Sequence, residues 1–331
     1  MISILIPVKN AAPFLEACLE SIAAQSQAGF EAIFADDHST DASRDIIGEW
    51  SRRDARIRLV VSGGHGILPA LRAAFAASRG ECITRMDADD LMPPGKLATL
   101  YELLRAAGPG HVATGKVRYF SQDSVGAGYR RYETWLNGLM ESGNHYEDIY
   151  RECVIPSAAF MVYRTDLERI GGFGAGAYPE DYDLAFRFYR AGYKIVAADQ
   201  VVHLWRDHPG RTSRTDPKYA GPYYDLKVRY FLELDRDPRR EMVLIGAGPK
   251  GKPLAQMLLA RDIRFRWLTD NRRKQGSSIY GVKLESEQAW DFAQGGFQYL
   301  VAISSPAEVQ ALEARLAAAG LRKGQDIFWM C

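Results

Sequence analysis

Two short stretches crowd carboxylates together. In "RMDADD", Arg85 to Asp90, three acids occupy four positions directly after the apolar-leaning "ECIT", and in "PEDYD", Pro179 to Asp183, three more follow a proline. A further pair, Asp36 and Asp37, closes "EAIFADD". Like charges this close raise one another's cost of ionisation, so such clusters stand in open water or beside a cation. Their hard oxygen donors suit Mg²⁺ or Mn²⁺ carrying a phosphorylated ligand. A carboxylate within hydrogen-bond reach of a hydroxyl is, in turn, a general base. An EF-hand is not indicated, because "DADDLMPPG" lacks that loop's Gly and distant Glu at the required offsets.

The elements that must position these acids follow from hydrophobic spacing. "SILIPV", "EAIFADD", "RIRLVVS" and "ECITRM" read as strands, separated by the helical patterns "PFLEACLESIAAQ", "STDASRDIIGEWSRRD" and "ILPALRAAFAASRG". That β-α-β-α-β-α-β series predicts an α/β fold with a parallel sheet flanked by helices. In open parallel sheets, ligands collect outside the carboxyl ends of the strands. If both acid-bearing strands lie in one sheet, Asp36, Asp37, Asp87, Asp89 and Asp90 share an edge. Asp41, in "STDAS", is expected to be a turn and capping residue. "PEDYDLAFRFYRAG" opens a helix with its acids at the positive end. Next come a strand, "YKIVAA", and a loop, "RDHPGRTSRTDPK". Over residues 108–176 periodicity assigns little.

The 331 residues suffice for two domains, and 47% hydrophobic with 25% charged content is ordinary for a globular protein. A formal charge of +1 gives no basic face for nucleic acid, so any phosphate chemistry is local. No stretch approaches the roughly 20 apolar residues of a membrane span, and "MISILIPVKN" lacks a basic leader. A cytoplasmic protein is expected, with peripheral association at the inner face of the membrane compatible with the sequence. Cys18, Cys82, Cys153 and Cys331 form no C-x-x-C pair, and neither a disulfide nor a thiolate metal site is expected.

The charged "LDRDPRRE" is expected to link domains over residues 1–235 and 236–331. The second begins afresh with "MVLIGAG", "KGKPLAQMLLARD" and "FRWLTDN". Gly246, Gly248 and Gly251 form G-x-G-x-x-G between a strand and a helix, and Asp270 ends the following strand, the context of a dinucleotide site. About ninety residues, however, supply only half of the usual fold. A Gly-rich turn chosen for packing in a small Rossmann-like accessory domain is therefore expected over an NAD site, although the pattern is compatible with NAD.

"SILIPVKNAAPFLEACLESIAAQ", "AIFADDHSTDAS", "ASRGECITRMDADDLMPPGKL" and "PEDYDLAFR" stand in the order found in family 2 glycosyltransferases, inverting enzymes of the GT-A fold, which residues 1–235 resemble. The resemblance implies a metal-dependent transfer of one sugar from a nucleoside diphosphate sugar, UDP-linked by expectation, to a saccharide or lipid-linked acceptor. It also implies roles. Pro7, Val8 and Asn10 line the nucleoside pocket, Asp37 reads the base edge, Asp87 lies by the ribose, and Arg72 faces the nucleotide. Asp89 belongs to the D-x-D element and holds Mn²⁺ or Mg²⁺, with His208 as a second ligand. Arg206, His208 and Ser213 face the diphosphate, Asp181 is the catalytic base, and Glu180 contacts donor or acceptor. Lys9 stands where the family commonly has an aromatic, and His38 where it commonly has Gly. His203, in "VVHLW", reads as a buried neutral residue. "LWRDH" is not the Q-x-x-R-W element of processive synthases. Two competing readings are a nicotinamide-dependent sugar oxidoreductase that uses the C-terminal glycines and a non-catalytic sugar-nucleotide sensor.

Overall fold

Ile2–Val8 (β1) is apolar at nearly every position and buried along almost its whole length, as a central parallel strand covered on both faces must be. The computed structural model describes residues 1–27, 29–122, 124–174, 179–215 and 221–331, without the side chains of Thr212 and Ser213. They form two units, one of Met1–His145 with Val154–Asp216 and one of Tyr146–Cys153 with Pro217–Cys331.

In the first unit β1 is followed by α1 (Ala12–Ala23), β2 (Phe30–Asp36), α2 (Ser43–Arg53), β3 (Ile57–Val61), α3 (Ile67–Ala77), β4 (Cys82–Arg85) and α4 (Lys96–Ala107). After these come β5 (His111–Phe120), α5 (Ala127–Ser142), β6 (Phe160–Tyr163), α6 (Arg164–Arg169), α7 (Glu180–Arg190), β7 (Lys194–Arg206) and the single turn α8 (Thr212–Thr215). The sheet order is β3-β2-β1-β4-β6-β5-β7. The β3-β2-β1-β4 half is parallel, as the alternation predicts, while β6 runs antiparallel between β4 and β5. Val8 pairs with Asp36 and Leu5 with Arg85, so the chain leaves β2, β1 and β4 at one edge, where the acids lie.

Residues 108–176, opaque to periodicity, contain β5, α5, β6 and α6. Strand β5 interleaves Lys116 and Arg118 with apolar residues, and its pairing with β7 slips on both sides of Lys116. There a Cβ on Gly115 would lie 2.9 Å from a Val202 methyl, so glycine permits the close approach.

The second unit contains α9 (Tyr224–Tyr230), β8 (Glu241–Ile245), α10 (Gly251–Leu259), β9 (Arg266–Thr269), β10 (Ser278–Ile279), β11 (Val282–Ser286), β12 (Phe297–Val301), α11 (Pro306–Ala318) and β13 (Ile327–Trp329). Its sheet order is β10-β11-β9-β8-β12-β13, parallel except for the β10–β11 hairpin. Val243, Ile245, Leu268, Tyr299, Val301 and Trp329 pack in its core with Leu312 and Leu316 of α11. Lys227 Nζ, also buried, donates to the carbonyls of Arg151 and Met330, which fastens Tyr146–Cys153 and the chain end onto α9.

Candidate active site

Asp36 and Asp37 are adjacent in sequence but differ in what their carboxylates meet. Asp36 is fully buried, accepts the Ser39 N–H and pairs with Arg44 at 3.2 Å, so it secures the turn after β2. Asp37 Oδ2 accepts from Lys9 Nζ at 3.1 Å and from the Gly66 N–H at 2.9 Å. Its Oδ1 is buried and receives no hydrogen bond among the described residues, which leaves an acceptor for a ligand N–H. His38 has φ 56°, the left-handed conformation that glycine adopts without cost, and its ring meets that of His65 edge-on at 4.4 Å. Asn10 ties the two loops together, its Oδ1 accepting from the Thr40 N–H at 2.8 Å. Pro7 and Val8 end β1 beside them. Asp41 accepts the N–H groups of Ala12 and Ser43, the turn role expected of it.

After β4, each carboxylate of "DADD" has a different partner. Asp87 Oδ1 lies 3.1 Å from Arg85 Nη2, and the other arm of Arg85 reaches Glu180 Oε1 at 3.0 Å. One buried guanidinium thus joins the D-x-D turn to the start of α7. Burial alone would raise Asp87, but Arg85, with His203 and Arg211, outweighs it and holds the carboxyl below the usual range. Asp89 Oδ2 is 3.0 Å from His208 Nε2, and the Asp89 carbonyl accepts from Arg206 Nε at 2.7 Å. Burial, then Asp90 and Asp87, push Asp89 upward. Asp90 is fully buried, accepts from His203 Nε2 at 2.8 Å and from the Arg206 N–H at 2.7 Å, and is pushed up to about 7 by burial and Asp87.

Among the described residues no three His, Cys, Asp or Glu side chains converge as a metal cage. The Asp89–His208 pair does offer one carboxylate and one imidazole to a divalent ion, a donor set suited to Mn²⁺. Burial gives most of the upward push on Asp89, and a cation would offset the part that comes from Asp90 and Asp87. Phe14 flanks this pair, its ring 4.5 Å from His208 and 5.3 Å from the Arg206 guanidinium.

Asp181 accepts the Tyr182 N–H at the first turn of α7. With Arg85, Glu180, Phe160, Phe173 and Leu184 it lines a pocket. Glu180 Oε2 is buried and receives no hydrogen bond among the described residues, a second acceptor available to a ligand. Asp183 instead pairs with Arg187 at 2.8 Å within the helix. Arg72 Nε donates to the Phe173 carbonyl and Nη2 to that of Gly174, which fastens the segment ahead of α7. The Ser213 side chain lies outside the described residues.

Sequence reasoning singled out neither Arg85 nor Lys96, and counted Arg211 only among the phosphate donors of the loop around His208. Arg211 lies against Tyr119, Tyr129 and Trp205, 5.2–5.7 Å from their ring centres. Burial works against its charge, but Tyr119, Asp90, Asp89 and Asp87 together raise its pKa. The signal for Arg85 was the oddity of an arginine inside an apolar strand end, since buried arginines are nearly always paired.

In the second unit, a Cβ on Gly246 (φ 105°) would lie 2.6 Å from the Ala302 carbonyl oxygen, and one on Gly251 1.9 Å from that of Gly246. Both glycines therefore serve a tight turn and close packing of helix on strand. Gly248 has open space about it, and Asp270 is exposed beyond β9.

Comparisons with known proteins bear on the family and the fold. A profile of the family described as Glycosyl transferase family 2 matches residues 3–171. Glycosyltransferase GlyG of Streptococcus pneumoniae is 26% identical over 65% of this chain and 74% of its own. The uncharacterised glycosyltransferase alr2836 of Nostoc is 28% identical over 89% of this chain and 90% of its own, a likeness that extends into the second unit. Among solved structures, S. aureus TarS 1–349 in complex with UDP-GlcNAc has a TM-score of 0.53 at 17% identity, covering 71% of this chain and 68% of that one. The mannosyltransferase PcManGT of Pyrobaculum calidifontis, in complex with GDP-Man and Mn²⁺, has a TM-score of 0.52 at 22% identity, covering 78% and 69%. At these identities the structures establish the fold, which is GT-A. The longer TarS chain is covered over 39% of its length.

Proposed function

We propose, for a chain that belongs to glycosyl transferase family 2, that it transfers one sugar, with inversion, from a UDP-linked donor to a hydroxyl of a saccharide or lipid-linked acceptor. The observation that carries this reading is the double ion pair of Arg85, which sets the D-x-D turn and the Glu180–Asp181 helix start at one site. Oδ1 of Asp37, which receives no hydrogen bond among the described residues and has His65 Nδ1 3.8 Å away, accepts the imino N–H of the base, and Lys9 and the Gly66 N–H hold that carboxylate in place. Asp87, kept ionised by Arg85, receives ribose hydroxyls. Arg206 and, from its aromatic surround, Arg211 donate toward the diphosphate, which His208 also faces. Asp89 and His208 hold Mn²⁺ or Mg²⁺, which when bound supplies Lewis-acid stabilisation of the departing diphosphate.

Asp181 takes the proton from the acceptor hydroxyl as it attacks opposite the diphosphate, while Glu180 orients a sugar hydroxyl through its free oxygen. Neighbours of the same fold have been solved with UDP-GlcNAc and with GDP-Man and Mn²⁺, which supports this class of donor.

The test is turnover of a panel of UDP- and GDP-sugars by wild type and Asp181→Asn, with the anomer of the product read by NMR. The variant is expected to lose about 10²- to 10⁴-fold in turnover while it still binds the donor, and the wild-type product to have the opposite anomeric configuration. Undiminished turnover in Asp181→Asn, or a retained configuration, would remove the general-base assignment.

A further inference from the structure

Beneath the D-x-D turn lie three ionisable side chains with almost no contact with water: Lys96 is 1% exposed, His203 0% and Asp90 1%. They come from three places in the first unit, the start of α4, the last part of β7 and the turn after β4. Burying charged groups costs more than burying apolar residues of the same volume, so what such a set can provide is direction and register. The directions here are specific. Lys96 Nζ donates to the Ala158 carbonyl and lies 3.3 Å from His203 Nδ1. With Lys96 Nζ donating to it, Nδ1 is the accepting nitrogen and the ring proton sits on Nε2. Nε2–H then points to Asp90 Oδ2 at 2.8 Å, and Asp90 Oδ1 accepts the backbone N–H of Arg206 at 2.7 Å. Arg206 Nε returns to the Asp89 carbonyl at 2.7 Å, and two residues on, His208 Nε2 stands 3.0 Å from Asp89 Oδ2.

We infer that Lys96, His203 and Asp90 form a positioning relay that holds the end of β7 in register with the D-x-D turn, and so fixes the separation of the Asp89–His208 pair that receives the divalent ion. None of the three touches substrate or metal. The relay fixes the tautomer of His203, uses both oxygens of Asp90, and presents Asp89 and His208 to each other from two separate segments. The inference rests on the metal role proposed for that pair.

The test compares His203→Leu, which keeps bulk but breaks both hydrogen bonds, with His203→Gln, whose amide can accept from Lys96 and donate to Asp90. Mn²⁺ affinity is read by electron paramagnetic resonance of the free ion, alone and with UDP or GDP, and nucleotide binding in EDTA serves as the control. Changes to groups that orient metal ligands cost about 10- to 100-fold in metal affinity, so His203→Leu is expected to weaken Mn²⁺ binding at least about tenfold and His203→Gln less than about threefold. Nucleotide binding in EDTA should be unmoved in both. A general clamp on the fold would instead lower thermal stability and metal-free nucleotide binding together. If His203→Leu does not fold, Lys96→Met is expected to show the same selective loss. Wild-type protein that takes up no Mn²⁺ would overturn the metal role and the relay with it. Uptake by wild type that His203→Leu matches, or that both His203 variants weaken equally, would overturn the relay alone.

Discussion

Arg85 carries two carboxylates on one guanidinium, and both ion pairs are largely withdrawn from water. Replacing it with methionine removes the cation bonded to both Asp87 and Glu180, and removing one partner of a buried pair costs about 3–5 kcal/mol. Arg85→Met is therefore expected to lower the unfolding free energy in urea by roughly that amount near neutral pH. The sign of its pH dependence follows from Asp87, whose carboxyl is held below the ordinary range. Its contribution is fully present above the unfolded value near 4 and is lost as pH falls through the folded value. The gap between wild type and Arg85→Met should accordingly be widest near neutrality and narrow in acid. A gap that widens in acid, or Arg85→Met as stable as wild type at pH 7, would contradict the ion-pair account.

At the scale of elements, the parallel half of the first sheet was legible because its strands are runs of Ile, Leu, Val and Phe and its helices show apolar residues at helical spacing. The helix at "PEDYD" was legible from its proline and acids. Strand β5 was not, because an edgeward strand with Lys116 and Arg118 and a slip in its pairing carries no clean period. The partners of Asp37, Glu180 and Asp90 were also hidden, since Lys9, Arg85 and His203 lie 28, 95 and 113 residues away along the chain and only the fold brings them together. The glycines of the second unit were legible as a turn, and the backbone supplies the reason for two of them. Gly251→Ala would drive a methyl into the Gly246 carbonyl oxygen, 1.9 Å from where its Cβ must stand. Overpacking of this kind costs about 1–3 kcal/mol, so a lower melting transition is expected for Gly251→Ala, whereas Gly248→Ala, with open space around it, should melt within about a degree of wild type. Equal melting of the two variants would mean that the helix does not press on the turn in this way.

For the molecule as a whole, the near-neutral charge of +1 leaves local charge as the means by which the proposed donor would be recognised. That charge is concentrated at one sheet edge, where Asp37 pairs with Lys9 and the D-x-D acids lie by Arg85, Arg206, His208 and Arg211. An edge so arranged should bind nucleotide and cation cooperatively. The most direct measurement is calorimetric titration of UDP and GDP into wild type and Asp89→Asn, each with Mn²⁺ and with EDTA. Coupling free energies between sites commonly correspond to about 5- to 150-fold, so Mn²⁺ should tighten binding of the preferred nucleotide to wild type by about tenfold or more and leave Asp89→Asn unchanged. Equal affinity with and without Mn²⁺ in wild type, or the same gain in Asp89→Asn, would contradict the account.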